Sequence, residues 1–231
     1  MQNAGVRFSE SVGLKRSAGA IVLNTYERAM LKISHTESHT NLLGPGDRFV
    51  IWVHGCCFDC KGCLARNTRF GNYHEVDVCD LAGEIKMSGC DGLTISGGEP
   101  FLQAEALAEL VREVKNTCDI GVIIYSGFTI EELYDKNDSA ALLGMTDILI
   151  DGRYIEELDD GRAYVGSSNQ RIHYLTGRYE NSGSEYYSAK KRRAEIKFSE
   201  DSVTLIGVPS ANVLKIWQEI KSKNGGDFDD F

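Results

Sequence analysis

The sequence predicts an α/β fold, a parallel sheet with helices packed outside it, and three observations carry that prediction. Residues 49–53, 92–96, 121–125 and 147–151 are short runs that are apolar almost throughout, as strands buried on both faces are. Helical patterns alternate with them. Each run ends in a polar or glycine-rich feature: Cys56 to Cys63, Gly97-Gly98-Glu99-Pro100, Tyr125-Ser126-Gly127 and Asp151-Gly152-Arg153. In a parallel sheet these features meet at the C-terminal edge, where α/β proteins bind ligands.

The elements follow in order. Residues 1–29 have no strong period and read as an appended arm or hairpin. Gly44-Pro45-Gly46 is turn chemistry and ends what precedes it. Val76, Leu81 and Ile85 suggest a helix, and residues 103–116 put Leu107, Leu110, Val111 and Val114 on one helical face. Thr129 with Glu132 three residues later makes a capping box. Beyond residue 160 the signal thins. Residues 174–188, rich in Gly, Ser, Asn and Tyr, read as a loop, with Tyr186-Tyr187 in partial packing. Residues 194–198 and 203–207 read as paired strands. Pro209-Ser210 opens a last helix that buries Val213, Leu214, Trp217 and Ile220, and the acidic tail 225–231 is expected to fray.

Composition narrows the function classes. At 231 residues the chain suits one sizeable domain, and 42% hydrophobic with 26% charged content excludes disorder as its main description. A net charge of -9 argues against wrapping a phosphate backbone. Only 3 prolines leave no proline-rich linker to divide it. No apolar run approaches the roughly 18 to 20 residues of a membrane span, and Ala20-Ile21-Val22-Leu23 is too short for a secretory core. The expectation is a soluble cytoplasmic protein. His35, His39, His54, His74 and His173 form no short metal spacing and read as surface or core polar residues. Lys190-Lys191-Arg192-Arg193 reads as a solvated strand entrance.

The cysteines point to chemistry. Of 7, four crowd into Cys56-Cys57-Phe58-Asp59-Cys60-Lys61-Gly62-Cys63, whereas Cys79, Cys90 and Cys118 stand alone. Thiols this close in a reducing compartment suit metal ligation better than disulfides. Cys56, Cys60 and Cys63 have the spacing C-x3-C-x2-C, and three thiolates from one loop can hold three irons of a cubane. The fourth iron is then open for chemistry, as the free position of a catalytic zinc is. Other readings are a zinc site, a cluster completed by Cys79, Cys90 or Cys118, and the register Cys57-x2-Cys60-x2-Cys63. Gly97-Gly98-Glu99-Pro100 puts two residues without a Cβ beside an acid able to bind an ammonium.

Together these residues resemble the radical S-adenosylmethionine (SAM) superfamily. Six segments occur in order: Gly44-Pro45-Gly46-Asp47-Arg48, Gly55-Cys56 with Cys60-Lys61-Gly62-Cys63, Ser96-Gly97-Gly98-Glu99-Pro100-Phe101, Ser126-Gly127-Phe128-Thr129, Asp147-Ile148-Leu149-Ile150-Asp151-Gly152 and Gly166-Ser167-Ser168-Asn169-Gln170-Arg171. This series is similar to the activating proteins of anaerobic (class III) ribonucleoside-triphosphate reductases. The resemblance implies a partial, open, TIM-like (β/α)6 barrel over residues 42–175. It would carry an N-terminal extension, 1–41, and a C-terminal one, 176–231.

It also implies roles for residues. Cys56, Cys60 and Cys63 would ligate a [4Fe-4S] cluster, and Gly97, Gly98 and Glu99 would hold the amino end of SAM. Gly62 and Leu64 would lie near the adenine, Ser126 and Asp151 would line the pocket, and Gly166 to Arg171 would meet a partner protein. The cluster, reduced by a donor such as flavodoxin or ferredoxin, would cleave SAM to methionine and a 5′-deoxyadenosyl radical. That radical would take a hydrogen from a glycine of the partner. Cys57 beside Cys56 and the stretch Leu64-Ala65-Arg66-Asn67-Thr68 depart from the family pattern. The alternatives are a radical SAM enzyme acting on a peptide or small molecule, and a non-catalytic iron-sulfur or zinc-binding module.

Overall fold

The computed structural model describes residues 14–17, 20–23, 28–188, 192–198, 202–224 and 227–230. Strands β1 (Leu14–Ser17) and β2 (Ala20–Leu23) form an antiparallel hairpin, as expected for the arm, whose other residues up to 27 lie outside the described ones. Then follow β3 (Met30–Thr40), β4 (Arg48–Val53), β5 (His74–Asp77), β6 (Gly92–Gly97), β7 (Gly121–Tyr125), β8 (Ile148–Asp151) and β9 (Arg171–Tyr174). These seven make one mixed sheet in the order β5-β3-β4-β6-β7-β8-β9. Its middle, β4-β6-β7-β8, is parallel, and the flanking strands run antiparallel.

Helices α1 (Asn67–Phe70), α2 (Val78–Ser88), α3 (Ala104–Lys115), α4 (Ile130–Tyr134), α5 (Ala140–Leu143), α6 (Ser182–Tyr187) and α7 (Ala211–Asn224) fill the connections and the C-terminal part. Leu81 and Ile85 of α2 and Leu107, Leu110, Val111 and Val114 of α3 join one core with Phe49, Ile51, Ile95, Val122 and Ile124 of the sheet. Burial of each such side chain contributes about 1.5–3 kcal/mol. Alternate residues face the other way: Ile123, Ile148 and Ile150 pack with Tyr164, Tyr179 and Tyr187, and Val50 and Trp52 with Ile206. Two buried faces explain why the parallel strands are apolar without alternation.

The N-terminal edge of the parallel strands is closed by Arg48, which is 0% exposed. Its five N–H donors all find acceptors: Nε gives to Thr94 Oγ1 at 2.5 Å, Nη1 to Pro45 O and Tyr179 Oη, and Nη2 to Leu93 O and Gly121 O. A buried guanidinium is tolerated because none of its donors is left unmade.

Several elements differ from the sequence expectation. Residues 30–40 and Val76 belong to β3 and β5, and α2 starts only at Val78, because the Asp77 side chain accepts from the Cys79 and Asp80 amides as an N-cap. The predicted loop 174–188 holds a 3-10 turn, Gly177–Tyr179, and α6. There Tyr186 stacks on Tyr164 at 4.0 Å and Tyr187 packs edge-on to both, so aromatic packing overrides the polar composition. Strands β10 (Ala194–Phe198) and β11 (Ser202–Gly207) pair antiparallel as expected. The tail forms β12 (Asp227–Asp230), parallel to β11, where fraying was expected; its backbone completes the free edge of β11. Of the face predicted for α7, Trp217 is buried, and Val213, Leu214 and Ile220 are half-buried. Arg192 corrects the reading of the basic run, since it pairs with Asp159 and its side chain is only 9% exposed; Lys190 and Lys191 lie outside the described residues.

Candidate functional site

The cysteine loop leaves the C-terminal end of β4, and the backbone ties it down on two sides. Gly55 N–H donates to Thr68 O at 2.8 Å, closing the loop on itself. Gly98 N–H donates to Val53 O and Glu99 N–H to Gly55 O, both at 2.8 Å, joining the loop to the end of β6. Here the two glycines are required by backbone, not only by a ligand. A Cβ on Gly97 would stand 2.6 Å from Val53 N and O, and one on Gly98 2.0 Å from Gly55 O. Gly97 also has φ +103°, in the region that favours glycine.

A cavity of about 1360 Å³ opens at this edge. Cys56, Cys60 and Cys63 line it, together with Gly62, Leu64, Gly97, Gly98, Glu99 and Ser126. Cys57 is exposed and not in its wall. Cys79, Cys90 and Cys118 are also outside it, the last two just before β6 and β7 at the opposite edge. All seven thiols are free. Trp52 and Tyr125 form part of the floor, and Leu214, Trp217, Gln218 and Lys221 of α7 part of the roof.

The loop thiols are not gathered around a single ion. Among the described residues, the one group of three or more His, Cys, Asp or Glu ligand atoms within 4.8 Å of each other lies elsewhere, so these sulfurs do not converge on one point. Burial pushes the Cys56 thiol up to about 11, so a metal that binds there must displace a firmly held proton.

Glu99 is 0% exposed. Its Oε1 accepts from Phe101 N at 3.0 Å and Ser126 Oγ at 2.9 Å, and its Oε2 from Gly127 N at 2.7 Å. Burial pushes its carboxyl up to about 7 despite these three donors. Oε2, with one donor, retains acceptor capacity; Oε1 is filled. Ser126 thus acts on Glu99, and its Oγ also accepts from Phe128 N at 3.0 Å. The Phe58 ring fills the space a Cβ on Gly127 would take, meets Phe128 edge-on at 4.8 Å, and carries the Arg153 guanidinium 4.4 Å above its centre. Sequence reasoning did not place Phe58, Arg153 or the predicted last helix, α7, at this site, because their contacts there are long-range.

Asp151 does not line this cavity. It borders a separate one of about 370 Å³ with Arg171 and Glu132. It accepts from Ile130 N at 2.7 Å and from Arg171 Nη2 at 2.6 Å, and His173 Nε2 lies 3.0 Å away. Burial alone would raise its pKa, but these donors outweigh it and hold the carboxyl below its ordinary value. Its work is to bind α4 to β9. Residues of the segment 166–171 clamp the turn after β8: Gln170 Oε1 accepts from Gly166 N, Gln170 Nε2 donates to Gly152 O, and Asn169 Nδ2 donates to Arg153 O.

Residues 42–173 match the family profile of the 4Fe-4S single cluster domain. The chain belongs to that family. Within it, the chain is similar to proteins named anaerobic ribonucleoside-triphosphate reductase-activating protein. The one from Vibrio cholerae is 36% identical over 143 residues, 58% of this chain and 91% of the relative. The one from Haemophilus influenzae is 34% identical over 141 residues, 56% and 89% of the two chains. The one from Enterobacteria phage T4 is 32% identical over 136 residues, 56% and 85%. The family match supports an iron-sulfur cluster, for which the cavity-lining loop thiols are the candidate ligands. Among the described residues, no helix is long and apolar enough to cross a membrane.

Proposed function

We propose that this chain is a radical SAM activase, which cleaves S-adenosylmethionine reductively and places a glycyl radical on an anaerobic ribonucleoside-triphosphate reductase. Its fold would be a partial (β/α)6 barrel, its place the cytoplasm, and its electron donor flavodoxin or ferredoxin. One observation carries it: three loop thiols and the Gly97-Gly98-Glu99 turn border one cavity, with no fourth cysteine in its wall. The names of the relatives support the choice of partner.

Cys56, Cys60 and Cys63 would hold the cluster. When bound, the cluster would supply one electron for reductive cleavage of the SAM sulfonium bond to methionine and a 5′-deoxyadenosyl radical, which would take a hydrogen atom from the partner's glycine. The chain's own residues bind and shield. Oε2 of Glu99 would accept a hydrogen bond from the ammonium of SAM while Ser126 and the Gly127 amide hold the carboxylate in place. Glu99 has no exposed surface, so an ammonium would reach it only after a side chain moves, and the Phe58 ring packed beside Gly127 would be the one to move. Gly62 and Leu64 would border the adenine side.

A second reading, a peptide or small-molecule substrate, is favoured by α7, which roofs the cavity with residues outside the matched segment. The test is to mix the reduced, cluster-loaded chain and SAM with an anaerobic ribonucleoside-triphosphate reductase and record the EPR spectrum. A glycyl radical doublet is expected. Accumulation of 5′-deoxyadenosine without any radical on the reductase would remove that partner in favour of the smaller substrate.

A further inference from the structure

At the opposite edge of the sheet, three chain segments bring a nitrogen, an oxygen and a sulfur ligand together. His39 lies near the end of β3, Asp47 just before β4 and Cys90 just before β6. His39 Nδ1 is 2.6 Å from Asp47 Oδ2 and 3.7 Å from Cys90 Sγ, and all three atoms lie within 4.8 Å of one another. β4 has six residues, which at about 3.3 Å each puts this group roughly 20 Å from the cysteine loop. It is separate from the cavity described above.

Backbone hydrogen bonds hold the segments in place, while the His39 and Asp47 side chains themselves are 56% and 44% exposed. Asp47 O accepts from Asp91 N at 2.8 Å and Gly92 N at 3.1 Å, while Asp47 N donates to Asp91 Oδ2 at 3.1 Å. Those bonds fix Asp47 against the residue that follows Cys90. Cys90 is half-buried against the main core. His39 has φ +63°, a left-handed backbone that L side chains avoid, at an irregularity between Glu37 and Thr40 in the β3–β4 pairing. That turn directs its ring towards the other two ligands.

We infer that His39, Asp47 and Cys90 form a second metal site, for a divalent transition ion with zinc as the best match. Imidazole, carboxylate and thiolate are the ligands zinc takes, and a water completes four-coordination. With Zn–N near 2.05 Å and Zn–S near 2.3 Å, tetrahedral geometry puts nitrogen and sulfur about 3.6 Å apart. The distance here is 3.7 Å. Nitrogen and oxygen would stand about 3.4 Å apart, so Asp47 Oδ2, which is exposed enough to rotate, moves outward as the ion replaces the hydrogen bond. Binding takes neutral His39 through Nδ1 and releases the Cys90 thiol proton to water, with no change of oxidation state. The ion would staple the end of β3 to the starts of β4 and β6.

The probe is cobalt(II), a spectroscopic stand-in for zinc, added anaerobically to full-length chain in which Cys56, Cys60 and Cys63 are all replaced by Ser. One equivalent should bind with a thiolate-to-cobalt absorption band. Cys90→Ser should abolish the band and His39→Ala should weaken binding at least tenfold, whereas Cys79→Ser and Cys118→Ser should change nothing. Absence of the band, or its survival in Cys90→Ser, overturns the site. If the triple replacement does not fold, metal analysis of the cluster-loaded natural chain after zinc addition and desalting decides. One zinc beside the irons, lost in Cys90→Ser, supports the site; none, or an equal amount in Cys90→Ser, refutes it.

Discussion

Gly98 lies so close to Gly55 that a Cβ on it would stand 2.0 Å from the Gly55 carbonyl oxygen, an atom that also accepts the Glu99 amide at 2.8 Å. The start of the cysteine loop and the turn that presents Glu99 are therefore one unit, and displacement of either displaces both.

Gly98→Ala should consequently act on the cluster without touching a ligand. The methyl forces the two backbones apart, at a cost of about 1–3 kcal/mol. Iron content after reconstitution and the urea midpoint should fall together. A variant with natural iron content and midpoint would mean that the loop and turn are independent.

The ligand register predicts an asymmetry between neighbours. Cys60→Ala should abolish the iron-sulfur absorption, because Cys60 lines the cavity, and Cys57→Ala should leave most of it, because Cys57 is not in the cavity wall. Iron and sulfide analysis checks this. Equal loss in both would shift the ligand set to the alternative register.

Arg48→Ala should destabilise the fold strongly. It strands the buried carbonyls of Leu93 and Gly121 and the Thr94 hydroxyl, each unmade acceptor costing about 1–3 kcal/mol, so a total loss above about 3 kcal/mol is expected from denaturant unfolding. A loss under about 1 kcal/mol would contradict the role given to the guanidinium.

Acid sensitivity should centre on Asp151 and Glu131, which share Arg171. Burial works against ionisation of Asp151, but the Arg171 and Ile130 donors hold its pKa below the ordinary value, and Arg171 holds Glu131 at about 2. A carboxyl depressed in the folded state stabilises above its unfolded pKa and loses that contribution as pH falls through the folded one. The urea midpoint of the cluster-free chain should thus be steady above about pH 5 and fall below about pH 4. Asp151→Asn should lower the neutral midpoint and flatten the fall; an unchanged slope would contradict the linkage.

What the sequence made legible follows from which forces are local. The parallel strands β4, β6, β7 and β8 were readable because burial on both faces leaves a continuous apolar run. The Thr129–Glu132 capping box was readable because it is closed within four residues, and both of its hydrogen bonds are present. β3 hid because only Leu31 and Ile33 are buried apolar residues in its eleven. α6 hid because Tyr164, far along the chain, supplies its packing. In the site, the cysteine and glycine motifs were plain, but the reason for Gly97 and Gly98 was backbone crowding, invisible without the β4–β6 register. Asp151 sits beside the motif residues in sequence order yet turns to α4 and β9. His39 offered no spacing at all, since its partners come from Asp47 and Cys90.

The most direct measurement is the SAM cleavage assay on chain reconstituted without oxygen and reduced with dithionite. 5′-Deoxyadenosine and methionine should form in equal amounts, sharply reduced in Glu99→Ala, which should keep its cluster but lose the acceptor for the ammonium. A chain that carries a full cluster and releases no 5′-deoxyadenosine would contradict the proposed activity.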